Sequence, residues 1–267
     1  MQEHFQDFWS AKAQNCLALD DVERVCQAIT AGLKEADAPS PQFVRGAIDV
    51  LCDVASMPDK RFRDLGQTAI FTSIIERLSD SFEPAHVSFY DRIFAQIIEY
   101  CRRRPGGEEM DSTLNRFGIH SERDLIVRKN RVASNRSTVS GRDAVKQAFV
   151  VSRVTLGADV AVTSVVVQCL FAVFPNAQIT LIGPAKIGEL YSGIPRFRTL
   201  PLAYDRHGSL MDRLGNWVQL VRSIDVERHG ASPDEYIIVD PDSRLTQLGL
   251  LPLTPDEDRH FFFESRS

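Results

Sequence analysis

Residues 147–183 read QAFVVSRVTLGADVAVTSVVVQCLFAVFPNAQITLIG. An apolar run from Phe149 to Val154 meets the turn Thr155-Leu156-Gly157-Ala158-Asp159, a mostly apolar segment follows to Phe174, and Ala177 to Ile182 makes a second apolar run. Neither run alternates, as strands buried on both faces of a parallel sheet require. The spacing therefore predicts strand, turn, helix, strand. Open α/β sheets bind ligands at the carboxyl ends of their strands, and Asp159 is the carboxylate at the tip of the first.

Working outward, the same alternation continues to the end of the chain. Lys186 to Tyr191 reads as a short helix, Phe197 to Ala203 as a third strand, and Ser209 to Ile224 as an amphipathic helix through Leu210, Leu214, Trp217, Val218 and Val221. Tyr236 to Val239 is a fourth strand and residues 259–264 a fifth. Strands alternating with helices predict a parallel, doubly wound sheet with right-handed crossovers. Its loops would gather Asp159, Gly183-Pro184, Tyr204-Asp205-Arg206-His207 and Asp240-Pro241-Asp242-Ser243-Arg244 on one edge.

The first half has another character. Four amphipathic helices follow one another: one begun by Asp20-Asp21, one begun by Ser40-Pro41, one over residues 61–78, and one after Pro84 that ends at Pro105-Gly106-Gly107. Short links between them suggest an antiparallel bundle. No repeat period appears. Residues 105–145 read as a join with short helical pieces near 110–117 and 125–132, so we place a helical domain with linker at residues 1–141 and an α/β domain at 142–267.

Composition narrows the function. With 31 basic against 36 acidic residues and a net charge of −5, no global positive field is available, and nucleic-acid binding is not expected. Arg102-Arg103-Arg104 and Arg128-Lys129-Asn130-Arg131 read as solvated charge, or alternatively as a peripheral contact with an anionic membrane surface. Cys16, Cys26, Cys52, Cys101 and Cys169 lack CxxC spacing and read as buried free thiols of a cytoplasmic protein. Val160 to Phe174 is interrupted by Thr163, Ser164 and Gln168 and is expected to be too short and too polar to cross a bilayer. His4, His86 and His120 have no ligand spacing, so no metal is expected.

At the sheet edge each residue has two readings. Asp159 is either a helix N-cap or a catalytic carboxylate; Asp240 and Asp242 are turn formers around Pro241 or ligand contacts; His207 reads as an exposed loop residue. GxGxxG, GxxxxGK[ST] and GxSxG are all absent, which excludes the usual dinucleotide, P-loop and hydrolase signatures.

Four segments carry a resemblance: SRVTLGADVAVTSVV (152–166), FAVFPNAQITLIG (171–183), KIGELYSGIPRFRTLPL (186–202) and EYIIVDPDSRLTQLGLLPL (235–253). In order and spacing they resemble glycosyltransferase family 9, the ADP-heptose:lipopolysaccharide heptosyltransferases, in its N-terminal Rossmann-like domain. The resemblance implies an α/β fold in which a helical bundle precedes the acceptor half of a GT-B enzyme. It further implies inverting transfer from a nucleotide sugar such as ADP-heptose to a saccharide or lipid-linked saccharide acceptor, with no metal cofactor. Asp159 falls at the family's general-base position, where a carboxylate takes the acceptor's proton, and Gly157, Asp240, Asp242 and Arg244 fall near the acceptor.

Three departures accompany it. Ala158 lengthens the glycine-aspartate turn, Asp242-Ser243 stand where Gln-Gly is frequent, and the donor half is expected beyond Ser267 in a longer enzyme, or lost. Two alternatives stay open: a non-catalytic scaffold whose helical half grips a protein partner beside a degenerate Rossmann-like half, and a small nucleotide binder using the same edge.

Overall fold

The computed structural model describes residues 8–12, 17–35, 40–79, 83–135, 139, 141–191, 193–204 and 208–264. The expected sites His4, Cys16 and Asp205-Arg206-His207 lie outside the described residues. The chain divides into two units, residues 1–105 with 208–211, and residues 106–207 with 212–265. The division falls at Pro105 and not at Gly141, because the two helices expected in a linker belong with the sheet.

The regular structure of the first unit's described residues is helical, chiefly α1 (Leu19–Glu35), α2 (Pro41–Ala55), α3 (Lys60–Gln67) and α4 (Pro84–Arg102). α3 runs on through a π-helical stretch, Thr68–Ile75, into Glu76–Ser79. Ser40 caps α2 by accepting from Phe43 N at 3.2 Å, and Pro41 supplies the preset first residue. α2 buries Val44, Ile48, Leu51 and Ala55, the stripe that its apolar spacing predicts, and Ala47 and Cys52 beside it. α3 crosses α2 so closely at Gly66 that a Cβ there would stand 2.4 Å from Ala55 N.

In the second unit α5 (Glu108–Arg116) and α6 (Glu122–Ser134) precede a five-stranded sheet: β1 (Gln147–Val151), β2 (Gln178–Gly183), β3 (Phe197–Pro201), β4 (Tyr236–Asp240) and β5 (His260–Phe262). The order is β3-β2-β1-β4-β5 and every pair is parallel, as the alternation predicts. One face carries Ala148, Val150, Ile179, Leu181, Ile237 and Val239, packed with residues from α7 (Ser164–Val173) and α8 (Ala185–Gly188). The other face is bound by α6, through Arg128 to His260, and by α9 (Leu210–Glu227), whose buried Trp217 donates from Nε1 to Pro252 O at 2.7 Å.

The helix between β1 and β2 starts earlier than expected. Leu156–Ala158 is already helical, Asp159–Thr163 is a π-helical turn, and α7 follows without a break. By length and composition the stretch Leu156–Val173 could cross a membrane, with mean hydropathy 1.9, contrary to the sequence expectation. Both its ends lead into hydrogen-bonded neighbouring strands, the position of a crossover helix.

The fold divides both basic stretches between buried and exposed members. Arg102 is buried beside Glu99 at 3.5 Å, Arg103 also reaches Glu99, and Arg104 pairs with Asp53 at 2.8 Å. Arg128 and Lys129 are 2% exposed, and Glu257 and Glu264 stand 3.9 and 3.7 Å from them. Arg102, Arg128 and Lys129 thus serve packing inside their own units, with apolar stems laid along the core, whereas Arg103, Arg104, Asn130 and Arg131 are exposed, as the solvated reading expects. The cysteines divide likewise. Cys26, Cys52 and Cys101 are buried thiols pushed up in pKa chiefly by burial, whereas Cys169 is exposed.

Candidate functional site at the carboxyl edge of the sheet

The strand order reverses direction between β1 and β4, which makes the crevice outside their carboxyl ends the switch point where open α/β sheets bind ligands. Beyond β1, Ser152 continues the ladder by donating from N to Ile182 O at 2.9 Å. Gly183 of β2 lies against it: a Cβ there would meet Ser152 Cβ at 2.3 Å. Only glycine lets the two strand ends close at this point.

Val154 then takes φ +59°, a left-handed conformation that a β-branched residue adopts only when its surroundings impose it. The imposing contacts are visible. Val154 N donates to Ser152 Oγ at 2.8 Å, and Ser152 Oγ donates to Asp159 Oδ2 at 2.8 Å. Asp159 Oδ1 accepts from Arg153 N at 2.8 Å and from Thr163 Oγ1 at 2.7 Å. Asp159 is 0% exposed.

Beyond β4 a similar knot forms. Asp240 accepts from Ser243 N at 2.8 Å and from Thr246 Oγ1 at 2.6 Å, and Asp242 takes φ +63°. Burial pushes the Asp240 carboxyl up to about 7, with the Asp242 carboxylate adding to the rise and the two hydrogen bonds and Arg128 opposing it. The loops after β1 and β4 are joined: Ser243 Oγ donates to Ser152 O at 2.6 Å, and Arg153 Nη2 lies 3.9 Å from Asp242 Oδ2.

The expected meeting of these loops therefore occurs, but with different groups presented. Asp159 is neither the N-cap nor a base facing a crevice. It sits in the first turns of the helix with both oxygens committed to the β1 turn. Asp240 and Asp242, expected as ligand contacts, are 0% and 1% exposed and shape the β4 loop from within. Gly157, with open space where a side chain would be, and the half-buried Arg244 remain on the accessible side, joined by Arg153 and Thr155.

Sequence reasoning missed Ser152 and Thr163. The signal available was Thr163 four residues after Asp159, the spacing that places both on one helix face. Among the described residues no group of three or more His, Cys, Asp or Glu side chains could hold a metal ion.

The accessible edge thus offers two half-buried guanidinium groups, a hydroxyl and backbone amides at the start of a helix, groups that hold anionic or hydroxyl-rich ligands. No protein-family model matches this chain, and no curated protein or solved structure matches it significantly.

Proposed function

We propose that the α/β unit is a saccharide-binding module of the glycosyltransferase family 9 kind, the acceptor half of a GT-B architecture, that holds its ligand without itself transferring a sugar. The four-segment resemblance and the parallel order β3-β2-β1-β4-β5 support the architecture. The observation that carries the non-transferring part is Asp159, wholly buried with its carboxylate accepting from Ser152, Arg153 and Thr163. A general base must reach the hydroxyl it deprotonates. Arg153 and Arg244 are the side chains that would grip the ligand, with Thr155 and the backbone at Gly157 beside them.

Isothermal titration with heptose- and hexose-bearing saccharides tests this, alongside ADP-heptose. Saccharide binding is expected to weaken about tenfold in Arg153→Gln and in Arg244→Gln, with no ADP released from ADP-heptose over hours. Sugar transfer is the second reading, favoured by the place of Asp159 at the end of β1 beside the switch point. ADP release by the wild-type chain that vanishes in a fully folded Asp159→Asn variant would establish transfer and overturn the binding-only reading.

A further inference from the structure

The two faces of the sheet are covered unequally at β4 and β5. On one side α6 holds His260 through Arg128 and sets Lys129 5.9 Å from the Phe262 ring. On the other, α7 and α8 pack over Ala148, Val150, Ile179 and Leu181, while the β4 and β5 side chains of that face border a cavity beside α7. Its volume is about 370 Å³, and its wall includes Val166, Cys169, Val173, Ile237, Val239 and Phe261. Arg142, itself exposed, is the one charged side chain among the lining residues. Phe263 at 53% and Val165 at 54% exposure extend the apolar surface outward.

A helix roughly 10 Å across fills on the order of 400 Å³ per turn, more than the whole cavity. An unbranched chain can thread it. We propose that this cavity takes one fatty-acyl chain, with an anionic head group paired to Arg142. Apolar walls with a single convergent charge are the make-up of a site for an amphiphile, and a guanidinium is suited to carboxylate in particular. The site lies on the sheet face and is independent of the edge at β1 and β4.

Cys169 provides the readout, since it lines the cavity and is exposed, while Cys26, Cys52 and Cys101 are buried. In a Cys16→Ser background, saturating dodecanoate is expected to slow bimane labelling of Cys169 at least tenfold. From octanoate through decanoate to dodecanoate the apparent affinity should rise about three- to fourfold per methylene. Arg142→Gln, an exposed change, should weaken dodecanoate about tenfold and leave dodecanol unaffected. Three outcomes would overturn the assignment: no protection by dodecanoate; equal protection in Arg142→Gln; or protection arising without ligand as protein concentration rises, with a dimer in sedimentation velocity. Protection by phosphatidylglycerol vesicles together with co-flotation, and none by monomeric dodecanoate, would overturn it in favour of a membrane-docking face.

Discussion

Arg128 Nη2 lies 2.6 Å from His260 Nδ1, with both side chains buried in the α/β unit. A guanidinium only donates, so Nδ1 accepts and the neutral ring carries its proton on Nε2. Burial first, and the Arg128 charge second, hold the imidazole well below its usual pKa. Burial also lowers Arg128, to about 10, against the pull of Glu257 and Asp240.

His260 and Asp240, both buried, give a pH dependence with two opposed parts. Unfolded His260 gains a proton near pH 6.5 while the folded ring does not, so its contribution is present above that pH and is lost as pH falls. Asp240 acts the other way. With its folded carboxyl raised to about 7, it contributes stability at pH below about 4 that is lost as pH rises to about 7. The two slopes oppose between about pH 4.5 and 6.5, so wild-type stability should vary little there. His260→Gln should uncover a decline with rising pH of up to about 1.4 kcal/mol per unit, and Asp240→Asn the reverse slope. Urea unfolding across that range measures both; variants that keep the wild-type profile would refute the two opposed shifts.

Asp159 is expected to behave as a structural clasp. Asp159→Ala should cost about 3 kcal/mol, since it strands three donors around a buried position, and Asp159→Asn somewhat less. Ser152→Ala and Thr163→Ala should each cost about 1 kcal/mol and should not add to Asp159→Ala in double-mutant cycles. Strict additivity in equilibrium unfolding would show the three side chains to be independent.

Gly66→Ala tests the helical unit. The added methyl would stand 2.4 Å from Ala55 N and 2.8 Å from Ala55 Cα, and backbone cannot step aside. A loss of about 2 to 3 kcal/mol is expected. Hydrogen exchange should quicken across residues 41–79 and stay unchanged across 147–183; uniform protection in the first span would contradict the close crossing.

Apolar periodicity and runs located α1 to α4 and all five strands, because burial of a face leaves its period in the chain. It did not reveal that α5 and α6 belong with the sheet. Arg128 and Lys129 look solvated by composition, and their partners Glu257 and Glu264 lie more than a hundred residues on, where no local pattern reaches them. The edge was legible as a place and not as chemistry. Sequence puts Asp159 at the end of β1, but whether a carboxylate faces out or in depends on Ser152 and Thr163 closing around it. The left-handed Val154 carries no residue signal at all, since valine is the wrong residue for that conformation.

The two knots at the sheet edge each close within a few residues, whereas the bond that joins them closes a long span of chain. Asp159 gathers Ser152, Arg153 and Thr163 from within seven residues, whereas Ser243 reaches Ser152 across 91. A short loop closes at little entropic cost and in well under a microsecond, a long one later and only with the sheet behind it. The β1 turn can therefore assume its shape early in folding and wait for the β4 loop, so the crevice is finished by the last arrival of the two.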